Sequence, residues 1–490
     1  MKEKSMNKKY NILWICTDQQ RSDTLGCMGN PYVNTPNLDR LADSGMLFEQ
    51  AYCQNPTCSP SRASFLTGRY PRTTRCRQNG QKIDPSERLI SKLFSEAGYV
   101  CGLAGKLHIN PCQPSVCKGM EERIDDGYDV FHWSHGAHDG WATHEYFQWL
   151  REQGVRFSSR PVPGTRLVQY GMDEQHHQTK WCTDKAINFI RANAEYGNNW
   201  FFSVNYYDPH HPFDPPKEYL DRYINHLDEL PMPNYHSGEL GDKPLFQKMD
   251  HKGAYNNHDS NNAAIIFDEM SEYDHKVVKA AYYAMIDLID KQVGRLLDVL
   301  RETGELERTI VIFHSDHGEM LGDHGIYLKG PYFYEGAVHV PLIISCPEVI
   351  PAGRHVEQLV ELIDLAPTLV EAVQLPHQPQ MQGRSMWKLL TGGEQPMLHP
   401  KGVYSEYYNS MPWHKNPTAQ CTMFFDGRYK VVDVHSTEEG ELYDLENDPA
   451  ETVNLWYNPA YLAIKAEMLR KLCDAMAFTC DPLPERISEW

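Results

Sequence analysis

Short apolar runs alternate with segments of helical periodicity along most of the chain. The apolar runs have the length and composition of buried strands, as at residues 10–17, 200–208 and 309–316. The intervening segments repeat apolar residues at helical spacing, most clearly at residues 34–45 and 275–304. Such alternation predicts an α/β fold in which helices sandwich a large, mostly parallel mixed sheet.

The pattern changes after the first 382 residues. Residues 404–449 contain three segments typical of antiparallel strands, with a hairpin turn expected at Asp426–Gly427, and a final helix is predicted over about residues 459–478. A chain of 490 residues is too long for one compact core of ordinary size. We therefore expect a large α/β domain over residues 1–382 and a smaller α+β domain over residues 383–490.

Three polar stretches lie at or just after buried strands, at residues 17–20, 205–216 and 314–325. Because ligands of open α/β sheets bind beyond the carboxyl ends of the strands, we expect these stretches to meet at one edge. Four of their residues could surround a single divalent cation: Asp18, Gln19, Asp316 and His317. Their mainly oxygen donor set suits Ca²⁺ or Mg²⁺.

The segment Cys58-Ser59-Pro60-Ser61-Arg62 is typical of a helix start. Pro60 suits a first helical turn, Ser59 is the expected cap, and Gly68 is the expected end of the helix. Cys58 would then lie at the positive end of a helix, which favours an anion or a thiolate. The other reading of Cys58 is a small, buried apolar cysteine.

Several basic side chains accompany the predicted cation site. Lys106 and His108 follow a strand two residues apart, so we expect them to share one face of an extended segment. Together they could hold an anion and transfer a proton, and the other interpretation is two solvated residues at the sheet edge. His210 and His211 lie between prolines, and Lys329 follows the third polar stretch. A metal, several cations and a candidate nucleophile together fit the transfer of an anionic group.

The composition of the chain argues against some classes of binding partner. The net charge of −19 argues against a nucleic acid or an anionic membrane. No stretch approaches the ~18 apolar residues of a membrane span. The apolar run at residues 11–16 is too short for the hydrophobic region of a signal peptide, so we expect a cytoplasmic protein.

Two further features of the sequence are its cysteines and one segment rich in His and Trp. The 13 cysteines indicate free thiols, and Cys112 and Cys117 have no second Cys or His pair at zinc-finger spacing, so residues 112–117 are predicted to form a loop. The His- and Trp-rich residues 131–147 could stack on a sugar or pack internally.

With these motifs in order, the chain resembles the formylglycine-dependent sulfatases of the alkaline phosphatase superfamily. Residues 58–69 are similar to the first signature of that family, and residues 98–108 to the second, except that Cys101 replaces the usual Ser or Thr. Three further stretches are similar to family segments: residues 316–325, 361–373 and 440–455. The resemblance extends from about residue 11 to residue 455.

The resemblance implies that Cys58 is a precursor. Maturation enzymes of the family recognise Cys-x-Pro-x-Arg and oxidise the cysteine to the aldehyde formylglycine. Its hydrate has two hydroxyls on one carbon. One, on the metal, attacks sulfur as the alcohol leaves, which gives a sulfated diol; the other then loses its proton, so that the aldehyde re-forms and sulfate is expelled. A serine would be trapped as its sulfate ester.

The resemblance also implies roles for the other candidate residues. Asp18, Gln19, Asp316 and His317 resemble the metal ligands, with Ca²⁺ usual and Mg²⁺ or Mn²⁺ possible, although many members have Asp where this chain has Gln19. The remaining roles follow the family pattern: Arg62 orients the diol, Lys106 and Lys329 neutralise the sulfate oxygens, His108 takes the proton as the aldehyde re-forms, and His210, with His211 as second choice, protonates the leaving oxygen.

The function predicted on this basis is hydrolysis of sulfate monoesters, with a carbohydrate sulfate as the family-level expectation. The partners implied are a sulfated small molecule or saccharide and a formylglycine-generating maturation enzyme. A phosphonate monoester or phosphodiester hydrolase of the same superfamily is the first alternative. The second is an inactive protein that binds sulfated glycans through an unmodified Cys58. The sequence gives no indication of oligomeric state.

Overall fold

The computed structural model describes residues 10–136, 140–253, 265–394, 396–412, 414 and 416–480. Its strands form one large sheet, one small sheet and two short pairs. In chain order they are β1 (Asn11–Thr17), β2 (Met46–Phe48), β3 (Ala51–Tyr52), β4 (Val100–Gly105), β5 (Val130–Trp133), β6 (Arg160–Pro161), β7 (Gln169–Tyr170), β8 (Trp200–Asn205), β9 (Thr309–Ser315), β10 (Leu342–Ser345), β11 (Arg354–Val356), β12 (Val360–Glu361), β13 (Val403–Tyr408), β14 (Gln420–Phe425), β15 (Tyr429–Val434) and β16 (Gly440–Asp444).

The large sheet has eight strands in the order β11-β2-β10-β9-β1-β8-β4-β5. Its strands all run in the same direction except β10, which is antiparallel to both neighbours. The strands predicted from the longest apolar runs, β1, β8 and β9, are adjacent at its centre. The predicted mostly parallel mixed sheet is confirmed.

Helices cover both faces of this sheet. In chain order, the helices of the described residues are α1 (Pro36–Asp43), α2 (Cys58–Thr67), α3 (Pro71–Thr74), α4 (Ile90–Glu96), α5 (Glu145–Glu152), α6 (Gln178–Tyr196), α7 (Lys217–Ile224), α8 (Leu245–His251), α9 (Glu272–Glu302), α10 (Glu335–Val338), α11 (Leu365–Ala372), α12 (Trp387–Leu390) and α13 (Leu462–Phe478). Within the described ranges, none of them combines the length and the apolar character needed to cross a membrane.

The alternation of side chains along β1 divides the interior into two cores. Trp14 and Cys16 pack with residues of α2, α4 and α11, whereas Leu13 and Ile15 pack with residues of α1, α6 and α9. Both sets are buried because β1 lies between β8 and β9 at the centre of the sheet. A buried parallel strand of this kind shows a continuous apolar run, as its sequence does.

The C-terminal region forms the small antiparallel sheet that its sequence predicts. Strands β13 to β16 pair in chain order, and β14 and β15 are joined by the expected turn. In that turn the Asp426 side chain accepts hydrogen bonds from the backbone N–H groups of Arg428 and Tyr429, and Gly427 has a φ of +99°. Helix α13 packs on one face of the sheet.

The start of α2 differs from the prediction. The helix begins at Cys58 itself, and the residue before it, Thr57, has extended dihedral angles and makes no side-chain cap. Ser59 is therefore inside the first turn and does not cap it; its backbone N–H donates to the Asn79 side chain instead. The predicted end is confirmed, since Gly68 adopts the left-handed conformation at the C-cap.

Candidate active site

Four neighbouring parallel strands end at the same edge of the large sheet. Strands β9, β1, β8 and β4 end at Ser315, Thr17, Asn205 and Gly105. The polar stretches that follow them therefore come together at this edge, as the strand pattern predicted. Helix α2 brings Cys58 to the same place, where its Sγ lies 3.2 Å from Nε2 of His317.

A close backbone contact aligns two of these strand ends. A Cβ atom on Gly105 would lie 1.9 Å from the backbone oxygen of Asn205, and Gly105 has a φ of +110°. The next N–H, of Lys106, donates to that same oxygen at 3.1 Å. Only glycine allows this approach, which directs the Lys106 side chain across to Asp18.

Two carboxylates, an imidazole and the Cys58 side chain form a buried cluster. Ligand atoms of Asp18, Cys58, Asp316 and His317 all lie within 4.8 Å of one another. Nδ1 of His317 is 2.8 Å from the carbonyl oxygen of Gly318, so donation there leaves the Nε2 lone pair facing the cluster. This oxygen-rich donor set, with one imidazole, fits a divalent cation.

Arg62 supports the two carboxylates from behind. Its Nε donates to Asp316 at 2.8 Å, its Nη2 to Asp18 at 3.2 Å and its Nη1 to the carbonyl oxygen of Lys106 at 2.9 Å. The guanidinium is 1% exposed, so these bonds satisfy a charge that would otherwise be costly to bury. Arg62 thus fixes the spacing between Asp18 and Asp316.

The sequence reading missed Glu319, which orients the Gln19 amide. Nε2 of Gln19 donates to Glu319, and its Oε1 accepts a hydrogen bond from Lys329. Glu319 is fully buried and also accepts from the backbone N–H groups of Leu321 and Leu328. Its only signal in the sequence is its place two residues after His317.

The positive charges around Cys58 together have a larger effect on the pKa of its thiol than burial does. Burial and the Asp18 carboxylate both disfavour the thiolate, but Lys106, Lys329 and His317 together lower the pKa of Cys58. The same surroundings hold Asp18 ionised: burial opposes the charge, and Lys106 and Arg62 more than compensate, so that the pKa of Asp18 is well below its usual value. The site therefore favours negative charge at the position of the Cys58 side chain.

Gln19 also lies next to a group of three basic residues, His210, His211 and Lys329. Nε2 of His210 is in hydrogen-bond contact with the Lys329 ammonium, and Nδ1 of His210 is 2.5 Å from the His211 carbonyl oxygen. Burial, then Lys329 and His211, hold the pKa of His210 well below its ordinary value. Nδ1 of His211 is 3.5 Å from Nε2 of Gln19, so both histidines face the cluster region.

His108 is reached by a different backbone path from the predicted one. The strand ends at Gly105, and His108 has a φ of +57°, so Lys106 and His108 do not share the face of an extended segment. The buried Glu121 carboxylate holds this turn by accepting the N–H groups of His108 and Ile109 at 2.8 Å and 3.1 Å. Burial, Lys106 and His135 keep the pKa of His108 well below its usual value.

Comparison with known proteins identifies the family. Residues 10–375 match the family model for sulfatases, and residues 322–477 match that of the N-sulphoglucosamine sulphohydrolase C-terminal region. An arylsulfatase of Clostridium perfringens is 31% identical over 490 residues, spanning 95% of this chain and 93% of that protein. The chain belongs to the sulfatase family. This sulfatase is a hydrolase that acts on sulfate esters.

Two further similarities span nearly the whole sulfatase. An N-acetylglucosamine-6-O-sulfatase of Bacteroides thetaiotaomicron is 26% identical, with 96% of this chain and 87% of that protein covered. The structure of a phosphonate monoester hydrolase of Agrobacterium radiobacter superposes with a TM-score of 0.85 at 26% identity, covering 98% of each chain. The large sheet and the small antiparallel sheet of this sulfatase thus form an alkaline-phosphatase-like fold.

Proposed function

We propose that this sulfatase cleaves sulfate monoesters of carbohydrates and uses a formylglycine made from Cys58. The observation that carries the proposal is the convergence of the Cys58 side chain with two carboxylates, an imidazole and the ammonium of Lys106. The name of the Bacteroides relative, a sulfatase of N-acetylglucosamine, supports a sugar sulfate as the substrate class.

The modification would require a maturation enzyme that recognises Cys58-Ser59-Pro60-Ser61-Arg62, oxidises the cysteine Cβ and removes its sulfur. The hydrated aldehyde would then carry two hydroxyls at the start of α2. One would form the bond to sulfur as the sugar oxygen leaves. The other would lose its proton, so that the carbonyl re-forms and sulfate departs.

Asp18, Gln19, Asp316 and His317, together with the modified Cys58 side chain, would hold a divalent cation. Their mainly oxygen donors favour Ca²⁺ over softer ions, and Mg²⁺ or Mn²⁺ would be accepted on the same grounds. A cation bound there would lower the pKa of a neighbouring hydroxyl and stabilise negative charge on the sulfuryl group.

The basic residues would act on the sulfuryl oxygens. Lys106 contacts Asp18 and Lys329 contacts Gln19, and both ammonium groups would neutralise the charge that develops on the sulfuryl oxygens. Arg62 already donates to Asp18 and Asp316, so it would orient the diol by holding these two carboxylates.

Two histidines would move protons. His108 is neutral in its buried turn and would accept the proton from the second hydroxyl as the carbonyl re-forms. His210 would donate a proton from Nε2 to the leaving sugar oxygen once the sulfuryl group engages the Lys329 ammonium that contacts this nitrogen. His211 is the second candidate for that role, because its ring also faces Gln19.

A phosphonate monoester hydrolase is the second candidate function. It is favoured by the structural similarity to the Agrobacterium enzyme, at a TM-score of 0.85 and 26% identity. A tetrahedral phosphonate ester presents oxygens that the same two lysines could neutralise.

The test is to produce the sulfatase with and without a formylglycine-generating enzyme and to analyse the Cys58 peptide by mass spectrometry. We expect aldehyde only after co-expression, and activity in proportion to it, with Cys58→Ala inactive. Rates on nitrophenyl sulfate, a nitrophenyl phosphonate ester and a panel of sulfated sugars should be highest for sulfates. Full activity with unmodified cysteine would refute the formylglycine proposal, and faster phosphonate turnover would establish the second function.

A further inference from the structure

A second cluster of possible metal ligands lies beside the active site, at the end of the neighbouring strands. His108, Cys112 and His135 each offer one ligand atom, and these three atoms lie within 4.8 Å of one another. Sγ of Cys112 is 3.3 Å from Nδ1 and 3.2 Å from Nε2 of His135, and the rings of His108 and His135 are 4.7 Å apart between centroids. The three residues are separated by up to 27 positions in the chain, so the fold brings them together.

The sheet explains why these residues meet. Strands β4 and β5 are parallel neighbours, with Gly105 opposite Trp133. His108 therefore follows one strand end and His135 follows the adjacent one at the same edge. Cys112 reaches the space between them from the loop after His108, and it is enclosed by the buried rings of Trp133 and Trp141.

The cluster has the features of a ligand site. Cys112 is 5% exposed and His108 is 8% exposed, whereas His135 is only half-buried. Nδ1 of His108 is buried and has no hydrogen-bond partner among the described residues. A buried polar atom of this kind is costly unless something binds it, and the ring nitrogens of His108 are suitable metal donors.

We propose that His108, Cys112 and His135 form a second metal site, selective for Zn²⁺ or a similarly soft transition metal, and that its occupation inhibits the enzyme. Two imidazoles and one sulfur suit Zn²⁺ and reject Ca²⁺, which takes oxygen donors. Bonds of about 2.0–2.3 Å place tetrahedral ligands roughly 3.5 Å apart, close to the contacts between Cys112 and His135. On binding, the Cys112 thiol would release its proton to solvent.

The inhibition, unlike the binding, rests on the proposed function. If His108 accepts the proton when the carbonyl re-forms, a metal on that imidazole removes its lone pair from the reaction. The buried carboxyl group of Glu121 accepts N–H groups of His108 and Trp133 beside the cluster, and its ionised form would stabilise a bound cation. Zinc would thus stop turnover without displacing the cation of the oxygen-rich site.

Binding is tested on the full chain carrying Cys58→Ala, so that the main site offers no sulfur, with Ca²⁺ in excess. After addition of Zn²⁺ and desalting, we expect one equivalent of tightly bound zinc, and with Co²⁺ a sulfur-to-metal charge-transfer band. Adding Cys112→Ser should remove the band and weaken zinc binding by more than about tenfold. Cys117→Ser is the matched control, since Cys117 lies in the same loop outside the cluster, and it should bind zinc like the parent.

Inhibition is tested on matured enzyme with Cys58 converted, each variant being compared with its own rate without zinc. We expect Zn²⁺ to inhibit the parent and Cys117→Ser reversibly, as a chelator will show, and to inhibit Cys112→Ser only at more than about tenfold higher concentration. Absence of bound zinc, or equal zinc binding by Cys112→Ser, overturns the site. Zinc binding with the cobalt band but without inhibition supports the site and overturns the role proposed for His108.

Discussion

At the residue scale, the Asp316 carboxylate supplies both hydrogen-bond acceptors and a negative charge, and different substitutions can separate these two contributions. One carboxylate oxygen accepts the backbone N–H groups of Gln19 and His317, and the other pairs with Arg62. Asp316→Asn retains the shape but loses the charge, so we expect activity to fall by more than about 100-fold, with reduced metal content. Metal analysis of the purified variant and steady-state rates provide the measurement.

Asp316→Ala should behave differently because it leaves the Arg62 guanidinium buried with half of its pairing removed. Breaking a buried pair typically costs about 3–5 kcal/mol, so the free energy of unfolding should fall by an amount in that range. Urea unfolding of the Asn and Ala variants side by side is the test. Equal stability of Asp316→Ala and the parent would show that Arg62 is satisfied by its other partners.

The leaving-group role that we propose for His210 predicts a substrate-dependent defect. Sugar alkoxides are poor leaving groups and need a proton, whereas nitrophenolate needs little help. His210→Ala should therefore lose roughly 10²–10⁴-fold on a sugar sulfate and far less on nitrophenyl sulfate, measured on the chemical step. Lys106→Ala is the matched control and should slow both substrates similarly.

Three outcomes would revise this assignment. A selective loss in His211→Ala with an equal loss in His210→Ala would transfer the role to His211. If neither histidine variant discriminates between the substrates, Lys329, which contacts Nε2 of His210, is the next candidate. A selective defect in Lys106→Ala would contradict its assignment to the sulfuryl oxygens.

At the element scale, the turn after β4 depends on one buried carboxylate. Glu121 accepts the N–H groups of His108, Ile109 and the Trp133 indole. Glu121→Gln replaces an acceptor by a donor and leaves at least one N–H unpaired, so we expect a loss of about 1–3 kcal/mol in the free energy of unfolding and a lower kcat.

The neighbouring Glu122→Gln is the control for this prediction. Glu122 is exposed and its side chain pairs only with exposed Lys82 among the described contacts, so the substitution should change stability by less than about 1 kcal/mol. Thermal unfolding and steady-state kinetics of the two variants give the comparison. An unaffected Glu121→Gln variant would mean that the His108 turn is held by other contacts.

The sequence predicted elements better than it predicted turns. Strands β1, β8 and β9 were readable because a buried parallel strand is a continuous apolar run, and their order then fixed where the polar stretches meet. The cap assigned to Ser59 and the shared face assigned to Lys106 and His108 were wrong, because both depend on backbone angles that local pattern does not specify.

Contacts between distant segments were out of reach for the same reason. Glu319 and Glu121 are ordinary acidic residues in the sequence, and only burial reveals what they hold. Cys112 and His135 lie 23 positions apart, and only the pairing of β4 with β5 brings them together. The two tryptophans of residues 131–147 that the structure describes, Trp133 and Trp141, are packed inside; residues 137–139 lie outside the described ranges.

At the scale of the whole molecule, a buried ion pair predicts how stability depends on pH. Nε2 of His399 is 2.8 Å from Asp364, and Glu361 is also near. Burial opposes the charge, but these carboxylates raise the pKa of His399 to about 9. Since the folded state binds this proton more tightly, the stabilisation is complete below about pH 6.5 and is lost as the pH rises through about 9.

His399→Gln should remove that part of the pH dependence. We expect the melting temperature of the parent to fall between about pH 6.5 and pH 9 more steeply than that of the variant. Exposed His377→Gln should follow the parent. Parallel curves for parent and His399→Gln would show that the imidazole carries no charge in the folded protein.

The small antiparallel sheet, β13 to β16, contributes residues to two hydrophobic cores. One face, including Val403, Met423 and Val432, belongs to the same core as α2, while the other packs on α13. Between them the fully buried Lys430 pairs with Glu335 of α10. A gene divided after codon 382 would therefore yield two fragments, each with part of a shared interior exposed and without the ion pair between Lys430 and Glu335, so any scheme that expresses the pieces separately must bring them together again before either can fold.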